Sequence, residues 1–214
     1  MSDTPQEIAE APAPHAIILA AGAASRFGSP KQAASLGGEP LLLLAVSRAV
    51  AVAGNAVSVV LGAHAAELAP LLRQTPATVV INRDWREGIA SSIRAGIAHL
   101  PGSCEAVLLL LADQAAVTAA DLGRLVAAWR RNPADIAAAC YSGMTAVPAL
   151  FPRAQFQALQ GLRGDQGARA LLKARAGSIT RVPMPSAAID VDTPGDLAAL
   201  ASPAQGAAGP ADPA

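Results

Sequence analysis

The stretch at residues 19–31 carries the residue types that suit phosphate binding. An apolar run leads into a turn of small residues, and a forked cation, Arg26, and a compact cation, Lys31, follow it. The residues of the turn are Leu19, Ala20, Ala21, Gly22 and Ala23. Small side chains let backbone N–H groups approach a phosphate closely. The stretch has neither the Walker sequence nor the Gly-x-Gly-x-x-Gly fingerprint, so it predicts another kind of anion-binding turn, with an ordinary strand-to-helix turn as the alternative.

Carboxylates occupy two further places that suit a divalent cation. Asp113 ends an apolar run, and a buried carboxylate at such a point needs a partner such as Mg²⁺. Asp190 and Asp192 are two residues apart, so in an extended chain they point the same way and can share a cation. The alternatives are local: Asp113 caps the following turn, and Asp192 or Thr193 caps the helix that follows.

A polar segment at residues 82–92 carries groups that could read a nucleoside. Asn82 offers a paired donor and acceptor to a base, and Gly88 permits close approach. Ser92 lies near the start of a predicted helix, where free N–H groups favour an anion or a polar base edge. The alternative is a polar loop whose serines cap that helix.

The elements that position these residues alternate between strand and helix. Strands are predicted at residues 16–20, 57–61, 78–81, 107–111, 136–140, 147–151 and 179–182, and helices at residues 40–53, 65–73, 88–100, 118–130, 153–160, 166–176 and 194–201. This order predicts an α/β fold, in which a mostly parallel central sheet carries helices on both faces as a three-layer sandwich. Ligands of such sheets bind outside the carboxyl ends of the strands, where residues 21–31, 112–116 and 190–193 are expected.

Composition limits the classes of function and partner. Net charge is zero and aromatic residues make up 3% of the chain, which argues against nucleic-acid binding. The apolar runs are too short to span a membrane, and no signal peptide is visible, so we expect a cytoplasmic protein. Residues 1–14 and 202–214 are predicted to be disordered tails around a single domain at residues 15–201.

Six segments, in this order, resemble the MobA-like nucleotidyltransferases, and within them most closely the molybdenum cofactor cytidylyltransferases. The segments are residues 19–32, 82–96, 109–114, 147–151, 164–169 and 190–196. The Gly-Asp-x-Gly-Ala-Arg and Asn-x-x-Trp-x-x-Gly-x-x-Ser-Ser segments favour the cytidylyltransferase branch over the guanylyltransferase branch. The resemblance runs over residues 16–200 and implies the Rossmann-like nucleotidyltransferase fold.

The resemblance also implies a role for each group of residues. Arg26 and Lys31 would hold the triphosphate of CTP or another NTP beside the turn at residues 19–23. Asn82, Gly88 and Ser92 would contact the base and ribose. The metal site, which would hold Mg²⁺, would consist of Asp113 with Asp190 or Asp192. The catalytic residues would be Arg26, Lys31 and Asp113.

The implied reaction is transfer of CMP from CTP to a phosphorylated acceptor, the molybdopterin-bound molybdenum cofactor, with release of pyrophosphate. An acceptor phosphate is already ionised near neutral pH, so positioning and charge neutralisation suffice without a protein base. A molybdoenzyme would be the protein partner. The alternatives are a related nucleotidyltransferase with another nucleotide or acceptor, and a non-catalytic carrier or assembly protein for the cofactor.

Two departures from the family pattern bear on the acceptor. Ala115 stands where the family commonly has proline, two residues after the metal-binding Asp113. Ala146 stands where many members have glycine, and its methyl group would narrow the acceptor site.

Overall fold

The alternating elements predicted from the sequence are present in the computed structural model of the chain, which describes residues 13–23 and 27–201. The described strands are β1 (His15–Ala20), β2 (Ser35–Leu36), β3 (Glu39–Pro40), β4 (Val57–Leu61), β5 (Thr78–Ile81), β6 (Ala106–Leu111), β7 (Ile136–Tyr141), β8 (Met144–Pro152) and β9 (Ile179–Pro183). The described α-helices are α1 (Leu41–Ala53), α2 (Ala65–Leu68), α3 (Ile89–Ala98), α4 (Ala119–Arg131), α5 (Phe156–Gln160), α6 (Ala168–Ala174) and α7 (Pro194–Ala201).

Seven strands form one sheet in the order β5-β4-β1-β6-β8-β7-β9, and β2 pairs with β3 in a separate hairpin. Strand β8 is antiparallel to β6 and β7, and the other neighbouring strands of the large sheet are parallel. A connection of two residues joins β7 to β8, and so short a connection allows only an antiparallel pair. The predicted mostly parallel α/β sheet is therefore confirmed.

Helices cover both faces of this sheet and give two separate apolar cores. Ile17 and Ile18 of β1 are fully buried and point to opposite faces, as successive strand residues do. On the face of Ile18, Leu42 of α1 and Leu122 of α4 belong to one core cluster. On the face of Ile17, α3 contributes Ile93, and α5 and α6 complete the other cluster. The layering explains why the central strands are apolar along their whole length.

The register of the central strands brings three turns to one edge of the sheet. Leu19 of β1 lies beside Val60 of β4 and beside Leu111 of β6. Because these strands are parallel, their carboxyl ends meet at the same edge. The turn at residues 20–23 and the turn at Asp113 consequently emerge side by side, as the sequence predicts.

Departures from the predicted elements have local causes. Predicted helix 65–73 is a short α-helix followed by a 3-10 helix, Ala69–Gln74, in which Pro70 cannot donate a backbone hydrogen bond. The β2–β3 hairpin was not predicted, and it turns through Gly37 and Gly38, both at positive φ. Predicted helix 118–130 begins with a capping box, in which Thr118 and Asp121 bond each other's backbone at the start of α4.

The predicted tails lie outside the described residues, apart from Ala13 and Pro14. Within the part of the chain that the structure describes, none of the helices has the length and apolar character that a membrane span needs.

Candidate functional site

A cleft of about 490 Å³ opens at the carboxyl ends of β1 and β6. The predicted site residues that line it are Leu19, Ala20, Ala21, Gly22, Ala23, Lys31, Gly88, Ser92, Asp113 and Asp192. Two predicted residues, Asn82 and Asp190, lie outside its walls. Arg26, expected to hold phosphate, lies outside the described residues.

Lys31 connects two carboxylates in this cleft. Its Nζ donates to Oδ2 of Asp113 at 2.5 Å and to Oδ1 of Asp192 at 2.9 Å. The Lys31 side chain is only 14% exposed. Burial by itself lowers the pKa of Lys31, but the charges and hydrogen bonds of the two carboxylates outweigh it and leave the pKa raised. The cleft therefore holds a fixed ammonium group at the edge of the small-residue turn.

Asp113 sits on a tight turn whose backbone also holds the third motif. Its carbonyl oxygen accepts hydrogen bonds from Ala115 N–H at 2.8 Å and from Val191 N–H at 3.0 Å. Proline at position 115 could not make the first of these bonds, so alanine adds a backbone tie where the family commonly has proline. The bond from Val191 fixes the Asp190–Asp192 stretch against the Asp113 turn. The other carboxylate oxygen of Asp113, Oδ1, is buried and has no hydrogen-bond partner among the described residues.

The loop that carries Asp192 is fixed by the start of α7. Asp196 Oδ2 accepts hydrogen bonds from the backbone N–H groups of Asp192 and Thr193, and Thr193 Oγ1 accepts one from Asp196 N–H. Thr193 is therefore the capping residue, with Pro194 at the first helical position. Capping by Thr193 leaves the Asp192 carboxylate free to contact Lys31.

Asp190 occupies a different place from its neighbour. Desolvation, and then the charges of Asp113 and Asp192, raise the pKa of Asp190 from 3.8 to about 6. It nevertheless lines an adjoining chamber rather than the cleft. Within residues 13–23 and 27–201, no three His, Cys, Asp or Glu side chains are grouped closely enough to hold a metal ion. Asp113 and Asp192 thus share the cleft, with Lys31 between them, and metal binding by Asp113 with Asp190 or Asp192 stays a prediction.

Asn82 lies behind the cleft wall. Its amide nitrogen donates to Oγ of Ser91 at 2.8 Å and of Ser92 at 3.0 Å, and its oxygen accepts from the backbone of Asp84. The amide is therefore engaged on both sides within the fold, and a direct contact of Asn82 with a base stays a prediction. Asn82 positions Ser92, whose hydroxyl hydrogen has no acceptor among the described residues.

Gly88 joins two motifs that are far apart in the sequence. It has φ of +115°, and a Cβ there would lie 2.5 Å from the carbonyl oxygen of Gly164 and 2.4 Å from Oδ1 of Asp165. Only glycine fits both this backbone angle and this approach. Ala90 N–H donates to the Gly164 carbonyl at 3.1 Å and completes the contact. The Gly-Asp turn thereby closes one wall of the cleft, a role that the spacing alone did not reveal.

The family match agrees with this arrangement. Residues 16–179 match the family model of the MobA-like NTP transferase domain. The chain belongs to the MobA-like NTP transferase family. The superfamily resemblance drawn from the six segments is thus confirmed, and with it the general class of nucleotidyltransferase.

Two protein relatives are similar over most of this MobA-like chain. The nicotine blue oxidoreductase of Paenarthrobacter nicotinovorans is 32% identical over 169 residues, covering 73% of this chain and 80% of that protein. The purine catabolism protein PucB of Bacillus subtilis (strain 168) is 30% identical over 190 residues, covering 83% and 91%.

A solved structure shows a similar fold. The crystal structure of Rv0371c from Mycobacterium tuberculosis H37Rv has a TM-score of 0.75 at 25% identity, covering 88% of this chain and 98% of that one. A crystal structure of the same protein in complex with manganese has a TM-score of 0.71 at 24% identity, covering 86% and 96%.

The small-residue turn of the MobA-like domain is held by residues that the sequence did not single out. Ala63 N–H donates to the Ala21 carbonyl at 3.1 Å, and His64 Nε2 donates to the Ala23 carbonyl at 3.1 Å. A Cβ on Gly62 would lie 2.7 Å from the Ala21 oxygen, so glycine is required there. The sequence indicates a turn at Gly62, because this glycine follows strand β4. No local sequence pattern indicates that His64 contacts the small-residue turn.

A second chamber of about 340 Å³ adjoins this cleft. The residues shared by the two cavities are Leu19, Ile89 and Leu111. The chamber is mostly apolar, with the aromatic ring of Tyr141 and the charged groups of Arg169 and Asp190 in its walls. Ala146 also lines it, which places the methyl group that departs from the family pattern in this chamber.

Proposed function

We propose that the chain transfers CMP from CTP to a phosphate of the molybdopterin-bound molybdenum cofactor and releases pyrophosphate. The observation that carries the proposal is Lys31, which lies between Asp113 and Asp192 beside a turn of small residues. Backbone N–H groups and an ammonium suit a triphosphate, and the carboxylates suit the cation that accompanies it.

The residues of the cleft fit a divalent metal ion. The buried Asp113 Oδ1 has no partner among the described residues, and a hard cation would supply one. Asp192 is half-exposed and would be the second protein ligand. When bound, Mg²⁺ would neutralise charge on the phosphate oxygens of the nucleotide. The manganese complex of Rv0371c supports a divalent ion in this fold family.

The proposed transfer needs no protein nucleophile. An oxygen of the acceptor phosphate forms the new bond to the α-phosphorus of CTP, and the bond from the α-phosphorus to the bridging oxygen breaks. That oxygen leaves with its electron pair on pyrophosphate, and the acceptor phosphate, already ionised, gives up no proton. Lys31 and Arg26 are proposed to hold the phosphates in line and to neutralise the charge of the leaving group.

The two cavities suggest how the two substrates are arranged. The nucleoside would lie along Gly88 and the free hydroxyl of Ser92, with Asn82 positioning that serine. The acceptor would lie in the adjoining chamber, whose apolar walls suit a flat heterocycle and whose Arg169 suits an anionic group. Ala146 narrows that chamber, so acceptor choice depends on this wall.

A second candidate is redox chemistry on a heteroaromatic compound, and the name of the oxidoreductase relative favours it. The cleft of this chain favours transfer, because a lysine held by two carboxylates and an unpartnered carboxylate oxygen suit a metal-bound triphosphate. Pyrophosphate release would report the transfer activity, and a change in the absorbance of a nicotinamide cofactor would report the redox activity.

The decisive experiment is a panel of CTP, GTP, ATP and UTP with molybdenum cofactor and Mg²⁺, read by pyrophosphate release. We expect release with CTP, and we expect Asp113→Asn to abolish it while Asp135→Asn, a carboxylate variant outside the cleft, retains it. Release with GTP but not with CTP would overturn the cytidylyl assignment. Cofactor oxidation without pyrophosphate would favour the redox candidate.

A further inference from the structure

We propose that Asp165 selects the base of the nucleotide, favouring cytosine over uracil by accepting a hydrogen bond from the exocyclic amino group. The inference rests on the proposed function, because it places the nucleoside in the cleft that Asp165 lines. The predicted contacts to base and ribose did not include Asp165.

The Asp165 carboxylate is a free acceptor in the cleft wall. It forms no hydrogen bond or ion pair with another described residue, although it packs against the backbone of Gly88. A side chain at position 88 would collide with Asp165 Oδ1, so glycine at this position leaves room for the carboxylate.

The turn that carries Asp165 is fixed on both sides. The Gly164 carbonyl accepts a hydrogen bond from Ala90 N–H at 3.1 Å, and Gly164 N–H donates to Glu87 Oε1 at 3.4 Å. Arg94 donates to that same glutamate and to the Leu162 carbonyl at 2.9 Å. The backbone that carries the free carboxylate is thus held in place before a ligand arrives, which lowers the entropic cost of binding there.

Without a cation between them, the Asp165 carboxylate and a triphosphate would repel each other as like charges. Asp165 belongs to the wall formed by the start of α3, whereas Lys31 and Asp113 belong to the strand ends. It therefore suits a part of the nucleotide that donates hydrogen bonds, and the amino group of a base is such a donor.

Asp165 and Ser92 together present an acceptor and a donor. Cytosine offers the complementary edge, an amino hydrogen beside an unprotonated ring nitrogen. Uracil presents a carbonyl oxygen to the Asp165 carboxylate, which opposes acceptor to acceptor. The Ser92 hydroxyl can donate or accept, so the discrimination rests on Asp165. A mismatch at polar groups in a cleft costs affinity on the order of tenfold. Adenine also has an amino group beside an unprotonated ring nitrogen. Binding of ATP therefore checks whether Asp165 recognises the amino group.

The test is equilibrium binding of CTP, UTP and ATP, each with Mn²⁺, to the full chain, because binding needs no acceptor. We expect the wild type to bind CTP on the order of tenfold more tightly than UTP. Asp165→Asn should bring the ratio close to one, because the new amide can donate to the uracil oxygen. Asp165→Ala should weaken CTP without improving UTP, and ATP should follow CTP in both variants.

The controls separate this inference from the proposed function. Asp135→Asn should keep the wild-type ratio, and thermal unfolding should show that the exposed Asp165 variants remain folded. Tight binding of both pyrimidine triphosphates with a ratio unchanged by Asp165→Asn would overturn the role of Asp165 alone. A wild type that binds none of the triphosphates would overturn the proposed function and this inference with it.

Discussion

Lys31 donates a 2.5 Å hydrogen bond to Asp113, a residue 82 positions further along the chain. The pair joins the segment after β1 to the end of β6, and Asp192 extends it to the loop before α7. Cation and carboxylate are held in one cleft before any ligand binds. Preorganised charge of this kind stabilises a transition state without reorganisation during the reaction.

Replacing Lys31 with alanine should lower turnover far more than it lowers stability. We expect pyrophosphate release to fall about 100-fold, because a positioned cation is lost from the site of charge development. The free energy of unfolding should fall by only about 1 kcal/mol, since Asp192 is half-exposed and water replaces part of the contact. Pyrophosphate detection and urea unfolding measure the two effects.

The matched control is Lys173→Ala, which removes an exposed lysine of α6 outside the cleft. This variant should change neither pyrophosphate release nor the free energy of unfolding. Near-wild-type pyrophosphate release by Lys31→Ala would contradict the role given to Lys31.

Gly88→Ala should destabilise the chain and disturb nucleotide binding together. The substitution places a methyl group against Gly164 and Asp165 at a φ of +115°, where side chains are strained. We expect a loss of about 2 kcal/mol in the free energy of unfolding and weaker CTP binding. Gly102→Ala is the control, because a Cβ there meets nothing within 4 Å. Equal unfolding midpoints for the two variants would refute the close approach.

The sequence predicted well what depends on neighbouring residues. Thr118 and Asp121 are three apart and signal the start of a helix by themselves, and the apolar run ending at Leu61 is a strand with the predicted bounds. The fold class follows from the alternation of such signals. The order of motifs also predicts Lys31 and Asp113 at one edge of the sheet, where the structure has them.

Contacts between distant segments could not be predicted in this way. Nothing in the sequence shows that the Asn82 amide turns inward to two serines, because the competing partner lies on the next helix. The approach of Gly88 to Asp165 depends on the packing of two loops. In an extended chain the side chains of Asp190 and Asp192 would point the same way. In the structure they line different cavities, because the residue between them, Val191, is bonded to the Asp113 turn.

Asp190 should make stability depend on pH. Its pKa is raised from 3.8 to about 6, so the folded chain holds the proton after the unfolded chain has lost it. Ionisation therefore costs stability, and the cost develops as pH rises from about 4 to about 6. At pH values above 7, Asp190→Asn should raise the melting temperature by about 2 °C, a value that allows for the partial exposure of Asp190 to solvent. Below pH 4 the substitution should change the melting temperature little.

The Asp190 measurement is thermal unfolding across pH with a metal chelator present. Asp135→Asn, at a site outside both cavities, should show no such pH-dependent gain. An equal shift for Asp190→Asn at both ends of the range would contradict the raised pKa.

His64 should set the affinity of the small-residue turn for nucleotide. Its Nε2 donates to the Ala23 carbonyl and its Nδ1 to Glu67, and these bonds, the backbone one first, raise the pKa of His64. Because His64 touches the turn from outside the cleft, His64→Ala should raise the KM for CTP about three- to tenfold and leave kcat nearly unchanged. His64→Gln, which retains a donor, should recover part of the loss, and the exposed His99→Ala should alter neither constant. A fall in kcat with constant KM would contradict this prediction, because it would mean that His64 acts on the chemical step. The structure shows His64 in contact with a backbone oxygen of the turn, at 3.1 Å, and gives it no role in that step.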